Sequence, residues 1–149
     1  MSTRIDYRKV APEAIQALSS VGKYLHDEKF DLKLKALVEL RVSQINGCAY
    51  CLNMHTQEAR AAGETQQRLD CLSAWRETTF YTEKEMAAFA WAEALTLIAQ
   101  TPSTEAVYQE VAKHFTEREL VDLSMVIVNM NAWNRMALGF HMHVPVRTT

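Results

Sequence analysis

Glycine and proline are scarce in this sequence, which has 4 glycines and 3 prolines in 149 residues. These residues interrupt helices and strands, so their scarcity favours long regular elements joined by short turns. Apolar residues recur with helical spacing through nearly the whole chain, and no segment alternates apolar and polar residues over the length of a strand. We therefore predict an all-α fold.

The sequence also lacks a strong net charge and long hydrophobic runs. The formal net charge is -2, which argues against a surface for nucleic acid or for anionic membranes. No stretch approaches ~18 uninterrupted apolar residues, and no apolar signal-peptide core follows the basic residues near the N-terminus. We expect a cytoplasmic protein without a membrane span.

Cysteine occurs only 3 times, an odd count that is too small for a disulfide scaffold. Two of the three lie in the segment NGCAYCLNMH, as Cys48 and Cys51. In a reducing compartment such a C-x-x-C pair indicates redox or metal chemistry rather than a structural cross-link.

Size and composition fit one helical domain over residues 1–149, with 48% hydrophobic and 23% charged residues. Two S/T-x-x-E capping boxes, Thr82 with Glu85 and Thr116 with Glu119, mark helix starts. We predict a bundle of about six or seven helices. They begin at Pro12, at about Leu32 (ending at Ile45, with Gly47 as the stop), at about Cys48 (ending before Gly63), near Leu69, after Thr82, after Ser103 or Thr104, and after Thr116.

The helix after Thr116 is apolar on more than one side. One side carries Leu120, Leu123, Ile127, Met130 and Ala137, and another carries Val121, Val128 and Ala132. A helix of this kind is buried centrally or against a partner subunit, so we expect an oligomer.

The two thiols and His55 are spaced at i, i+3 and i+7, which places them in one column if the segment is helical. Cα atoms three residues apart on a helix lie within disulfide range, so the pair can cycle between dithiol and disulfide. The helix N-terminus favours Cys48 as the more acidic thiol, whereas the neighbouring imidazole favours Cys51. The residues alone leave this choice open.

Two other interpretations of the cysteines compete with redox chemistry. Zinc binds Cys and His, and His141 and His143 would complete a four-ligand site. Against zinc, C-x-x-C pairs that bind this ion usually lie on loops that wrap it, whereas this pair opens a helix. The third reading is simple packing, which is also our interpretation of Cys71.

Three segments of the chain resemble the alkylhydroperoxidase AhpD-like family within the carboxymuconolactone decarboxylase superfamily. They are LVELRVSQINGCAYCLNMHTQEARAAGE, EKEMAAFAWAEALT and VNMNAWNRMALGF, and the resemblance covers about residues 30 to 140. It implies a helical fold assembled as a homo-oligomer, trimer or hexamer, and a peroxidase or disulfide reductase activity without a metal or bound organic cofactor.

The resemblance also implies roles for the motif residues. Cys51 would attack a small hydroperoxide and become a sulfenic acid, Cys48 would condense with it to a disulfide, and His55 would relay protons. An external dithiol, such as a lipoyl or thioredoxin-like partner, would then reduce the pair. Alternatives are a disulfide reductase that serves a partner peroxidase and a redox-sensing oligomer without turnover.

The chain departs from the family pattern at one position. The glutamate of the usual relay lies about twelve residues before the first cysteine, where this chain has Ala36. Glu39 lies three residues later, nearly one helical turn on, so it is the candidate for the missing carboxylate. A solvated role on the helix surface is the competing interpretation. For Asn131 and Asn134 we expect packing and hydrogen bonding.

Overall fold

The computed structural model describes residues 3–28, 30–101 and 103–146, and these residues form helices and connecting turns. Eight are α-helices and one is a 3₁₀ helix. In chain order they are α1 (Tyr7–Val10), α2 (Pro12–Asp27), α3 (Leu32–Asn46), α4 (Ala49–Ala61), α5 (Gln66–Cys71), the 3₁₀ helix (Leu72–Glu77), α6 (Glu83–Thr96), α7 (Glu105–Val111) and α8 (Glu117–Gly139).

The all-α prediction is confirmed, and the number of helices slightly exceeds the predicted six or seven. One additional helix is α1, which has only four residues and therefore no readable apolar period. The predicted helix around Leu69 is divided into α5 and the 3₁₀ helix, which is kinked at Ala74 (φ -116°, ψ 33°). Short elements of this kind depend on packing more than on periodicity.

Local capping signals set several helix ends as predicted. Both capping boxes form, because the hydroxyls of Thr82 and Thr116 accept from the backbone N–H groups of Glu85 and Glu119. Gly47 ends α3 in the left-handed conformation at φ 67°, which glycine adopts without a steric penalty. The turn between α3 and α4 is therefore short.

Helix α3 lies at the centre of the molecule and packs against α4, α6 and α8. It buries Leu37, Val38 and Val42 completely. Helix α8 buries Leu123, Ile127 and Met130 against the same core. Apolar burial of this extent is the main stabilising contribution in a domain of this size.

The opposite side of α8 carries Val121 and Val128, which are 59% and 56% exposed. This is the second apolar side that led us to expect an oligomer, and the oligomer stays a prediction. None of the helices in the described ranges is both long enough and apolar enough to cross a membrane.

A partly buried carboxylate connects α6 to α3 and to the 3₁₀ helix. Glu93 accepts from Arg41 (2.8 and 3.0 Å), from the indole N–H of Trp75 (2.9 Å) and from Arg76 (2.7 Å). Burial by itself raises the pKa of Glu93, but the hydrogen bonds from Trp75, Arg76 and Arg41 outweigh it, and the net shift is downward. Glu93 therefore stays ionised and holds three elements together.

Candidate redox site

Cys48 and Cys51 lie at the start of α4 and form a disulfide. Their Cα atoms are 5.3 Å apart. Cys48 has an extended backbone and is the N-cap residue of α4. The sequence analysis expected it in the first helical turn, which begins one residue later. Its Sγ accepts a hydrogen bond from the backbone N–H of Cys51 at 3.4 Å. A thiolate on Cys48 would thus lie at the positive end of the α4 dipole.

The turn before Cys48 is anchored to α8 by hydrogen-bonded asparagines. The Asn46 amide donates to Oδ1 of Asn131 (3.0 Å) and of Asn134 (2.8 Å). Asn134 in turn donates to Ser43 Oγ (3.1 Å), and Ser43 donates to the backbone carbonyl of Glu39 (2.8 Å). These bonds fix the end of α3, so they position the cysteines that follow it.

His55 lies four residues after Cys51, about one turn further along α4 and on the same side, and is buried. Its Nδ1 is 2.8 Å from Glu58 Oε2 and 3.4 Å from Glu39 Oε2. Both neighbours are carboxylate oxygens, which accept hydrogen bonds, so Nδ1 carries the proton. In the neutral ring Nε2 is then the basic nitrogen, and it is buried with no hydrogen-bond partner among the described residues.

Glu39 lies on α3, and its carboxylate lies beside His55. It is the residue that we predicted as the candidate for the missing carboxylate. Its side chain is 8% exposed, and Lys35 Nζ donates to both of its carboxylate oxygens at 2.7 Å. Ala36, where the family pattern has its glutamate, is a buried apolar residue of the core. The arrangement therefore supplies a buried, charge-paired carboxylate beside the imidazole.

Glu58 is a second carboxylate at the site, and the sequence reasoning missed it. It lies three residues after His55 on α4, a spacing that brings two side chains together on a helix. The hydrogen bond from His55 lowers the pKa of Glu58 below its usual value. This contact could have been predicted from the sequence, because residues three apart on a helix lie on the same side. Its side chain is 51% exposed, so solvent screens its charge.

A cavity of about 340 Å³ adjoins these residues. Of the two motif cysteines, Cys51 lines it, together with His55, Glu39 and Glu58. Helices α1, α2 and α8, with further residues of α3 and α4, supply the remaining walls, which combine apolar and polar side chains. They include Tyr7, Ile15, Met130, Trp133 and Ala137, with Tyr50 and Met54 from α4 and the polar residues Arg8, Ser19, Lys35 and Asn129. Cys51 thus faces a space that accommodates a small organic molecule.

The groups around His55 also resemble a set of metal ligands. Glu39, His55 and Glu58 offer one ligand atom each, all within 4.8 Å of one another. The Lys35 ammonium lies 2.7 Å from both Glu39 oxygens and places a fixed positive charge against this cluster, which opposes a cation. His141 and His143, the other ligands of the zinc interpretation, line a separate cavity with Met142 and Val144. The cluster is therefore a histidine with two carboxylates, one of which is already paired with Lys35.

Two comparisons relate the sequence to known proteins. The model of the carboxymuconolactone decarboxylase family matches residues 12–94, more than half of the chain, including both cysteines and His55. The uncharacterized protein YdfG of Bacillus subtilis (strain 168) is 40% identical over 139 residues, which cover 93% of this chain and 95% of YdfG.

Solved structures show the same fold. ATU0492 of Agrobacterium tumefaciens, a protein of unknown function proposed as an antioxidant defence protein AhpD, has a TM-score of 0.94 and 38% identity, covering 98% of this chain and 100% of that one. An uncharacterized peroxidase-related protein of Ralstonia eutropha JMP134, described as an alkylhydroperoxidase AhpD core, has a TM-score of 0.80 at 18% identity, covering 93% and 74%. This second likeness shows the fold alone.

The helical fold and the dithiol beside a histidine define a class of thiol-bearing helical proteins. Within that class, the chain belongs to the carboxymuconolactone decarboxylase family, and its fold is AhpD-like.

Proposed function

We propose that this protein is a thiol-dependent peroxidase that reduces small organic hydroperoxides in antioxidant defence. The observation that carries the proposal is the meeting of Cys51, His55 and two carboxylates at one cavity, with Cys48 within disulfide range of Cys51. A peroxidatic cysteine needs a nearby base, a path for its substrate and a second thiol to complete the reaction. All three requirements have a counterpart in this site.

The oxidative half-reaction begins with the reduced dithiol. His55 Nε2 takes the thiol proton of Cys51, and Glu39 and Glu58 stabilise the resulting imidazolium through Nδ1–H. The thiolate attacks the terminal oxygen of R–O–O–H, so that an S–O bond forms, the O–O bond breaks and sulfur loses two electrons. The imidazolium returns its proton to the departing alkoxide, which leaves as R–OH.

The second thiol completes the oxidation. Cys48 attacks the sulfenic acid on Cys51, which forms the disulfide and releases water. An external dithiol then attacks the Cys51 sulfur, because that sulfur lines the cavity. Cys48 leaves as a thiolate that the N-terminus of α4 stabilises. We propose a lipoyl or thioredoxin-like donor, and the overall reaction converts one hydroperoxide and one dithiol into an alcohol, water and a disulfide.

The assembly and location of the protein are also proposals. The exposed apolar side of α8 with Val121 and Val128 supports a homo-oligomer, for which the family implies a trimer or hexamer. A catalytic dithiol must be reduced again in each cycle, which fits the reducing environment of the cytoplasm.

A coupled assay tests the proposal. Dihydrolipoamide, regenerated by its dehydrogenase and NADH, would supply electrons, and NADH consumption after addition of cumene hydroperoxide would report turnover. We expect the wild type and Cys71→Ser to turn over at similar rates, since Cys71 lies away from the cavity on α5. Turnover by Cys51→Ser at the wild-type rate would refute the mechanism.

Two alternatives share the same dithiol. A disulfide reductase for a partner peroxidase would reduce a protein disulfide at the expense of dihydrolipoamide yet consume little hydroperoxide. A redox-sensing oligomer would change its assembly between the reduced and oxidised states. Replacing the hydroperoxide with a protein disulfide in the same assay distinguishes the disulfide reductase from the peroxidase. Size-exclusion chromatography of the reduced and oxidised protein tests the redox-sensing oligomer.

A further inference from the structure

Asn129 is a buried polar residue of the cavity to which neither the sequence motifs nor the reaction steps assign a role. It lies in the middle of α8, one turn before Trp133, and is 8% exposed. Its side chain lines the same cavity as Cys51 and His55. Its Oδ1 is buried without a hydrogen-bond partner among the described residues.

The other two asparagines of α8 are fully engaged. Asn131 donates to Thr96 Oγ1 and to the carbonyl of Ile127, both at 3.0 Å. Asn134 exchanges hydrogen bonds with Asn46 and Ser43. Asn129 thus differs from its neighbours in what its amide contacts, although all three lie on one helix.

An unpaired buried amide oxygen carries a desolvation penalty that folding does not recover. Leucine has the same branched arrangement of side-chain heavy atoms and would avoid that penalty at a site walled by Met130 and Trp133. His55 is the other described residue lining this cavity with an unpartnered buried atom, its Nε2, which belongs to the reacting group. Two unsatisfied polar groups in one cavity indicate a ligand that supplies their hydrogen bonds.

We propose that Asn129 binds the hydroperoxide and orients its O–O bond toward Cys51. Its Oδ1 accepts from the terminal O–H, and its Nδ2–H donates to the oxygen bonded to carbon. That second oxygen gains negative charge as the S–O bond forms and the O–O bond breaks, so the donated hydrogen bond strengthens in the transition state. The proton for the alkoxide comes from His55, as before.

This inference rests on the proposed peroxidase function, and it locates substrate recognition on α8, outside the residues that the family model matches. The catalytic column lies on α4 within the matched residues, whereas Asn129, Met130 and Trp133 wall the cavity from beyond them. The reacting thiol and imidazole thus lie on α4, whereas the residue that recognises the substrate lies on α8.

Asn129→Leu tests the proposal, with Asn134→Leu as the matched control on the same helix. Because Asn129→Leu removes an unpaired polar group, we expect its Tm to be unchanged or raised. Its kcat/KM for cumene hydroperoxide should fall about 10- to 100-fold, since a hydrogen bond to developing charge is lost. Asn134→Leu should lower Tm, because it removes one hydrogen-bond partner of Asn46 and one of Ser43. Asn129→Ser, which replaces the amide with a hydroxyl that can both donate and accept, should lose less activity than Asn129→Leu.

A binding measurement separates this proposal from the proposed function. The unreactive alcohol 2-phenylpropan-2-ol, titrated by calorimetry, should bind Asn129→Leu about 5-fold or more weakly than the wild type. Equal affinity and equal kcat/KM in both proteins would overturn the role of Asn129, as would a Tm loss like that of Asn134→Leu. Weaker alcohol binding with no peroxide consumption by the wild type would support Asn129 as a ligand contact and refute the peroxidase function.

Discussion

The two carboxylates that flank His55 should contribute unequally to turnover, and substitution of each by glutamine measures the difference. Glu39 is nearly buried and Glu58 is half-exposed, with side-chain exposures of 8% and 51%. Glu58 lies closer to Nδ1, at 2.8 Å against 3.4 Å, so distance and burial favour different residues. We expect burial to decide, because water screens the exposed charge.

The magnitudes follow from the environment of each pair. The buried charge of Glu39, 3.4 Å from Nδ1, should contribute about 1.5–3 kcal/mol, whereas Glu58, although hydrogen-bonded to Nδ1, is exposed and should contribute about 0.2–1 kcal/mol. If these energies stabilise the imidazolium in the transition state, Glu39→Gln lowers kcat/KM about 10- to 150-fold and Glu58→Gln by less than about 5-fold. The coupled hydroperoxide assay measures both variants directly.

Lys35 provides the control for this experiment. Glu39→Gln leaves the Lys35 ammonium without its carboxylate partner, and that charge opposes a positive imidazole. The double variant Lys35→Met with Glu39→Gln removes both charges and should stay well below wild-type activity. Recovery of full activity in the double variant, or a larger loss in Glu58→Gln than in Glu39→Gln, would refute the reasoning.

Three further predictions concern stability. Asn46→Ala removes the hydrogen bonds donated to Asn131 and Asn134, and it should lower the free energy of unfolding by about 1–3 kcal/mol, measured in urea. An unchanged unfolding midpoint would contradict the anchoring of the turn before Cys48. Thr116→Ala removes a capping box and should cost about 0.5–2 kcal/mol in the same unfolding measurement. Glu93→Gln should destabilise the protein by about 1–3 kcal/mol at neutral pH. The pKa of Glu93 is lower in the folded protein than its usual 4.5. The carboxylate therefore stabilises the fold fully above pH 4.5, and this contribution is lost as the pH falls through the lower folded pKa. The difference in stability between Glu93→Gln and the wild type should thus shrink in acid. A difference that is constant with pH would show that ionisation of Glu93 does not matter.

The helices were predictable because their signals are local. The capping boxes at Thr82 and Thr116, the stop at Gly47 and the helical spacing each involve residues a few positions apart. The kink at Ala74 and the four-residue helix α1 were not predictable, since neither has a periodic pattern of its own.

The site divides in the same way. Cys48, Cys51 and His55 lie along one helix end, so sequence spacing alone brings them together, and Glu58 was equally within reach of that reasoning. Glu39 lies on α3, so its position beside His55 could be predicted only from tertiary packing or from the family resemblance. The cavity and the unpaired amide of Asn129 arise only when α1, α2 and α8 pack around α4, so no local pattern could predict them.

Mass spectrometry after a brief hydroperoxide pulse tests the central claim most directly. Reduced Cys48→Ser protein, treated with one equivalent of cumene hydroperoxide and then dimedone, should carry the adduct on Cys51, while the wild type should form the Cys48–Cys51 disulfide. Adduct on Cys71, or an unmodified Cys51 in Cys48→Ser and a still-reduced wild type, would contradict the assignment of Cys51 as the thiol that reduces the peroxide.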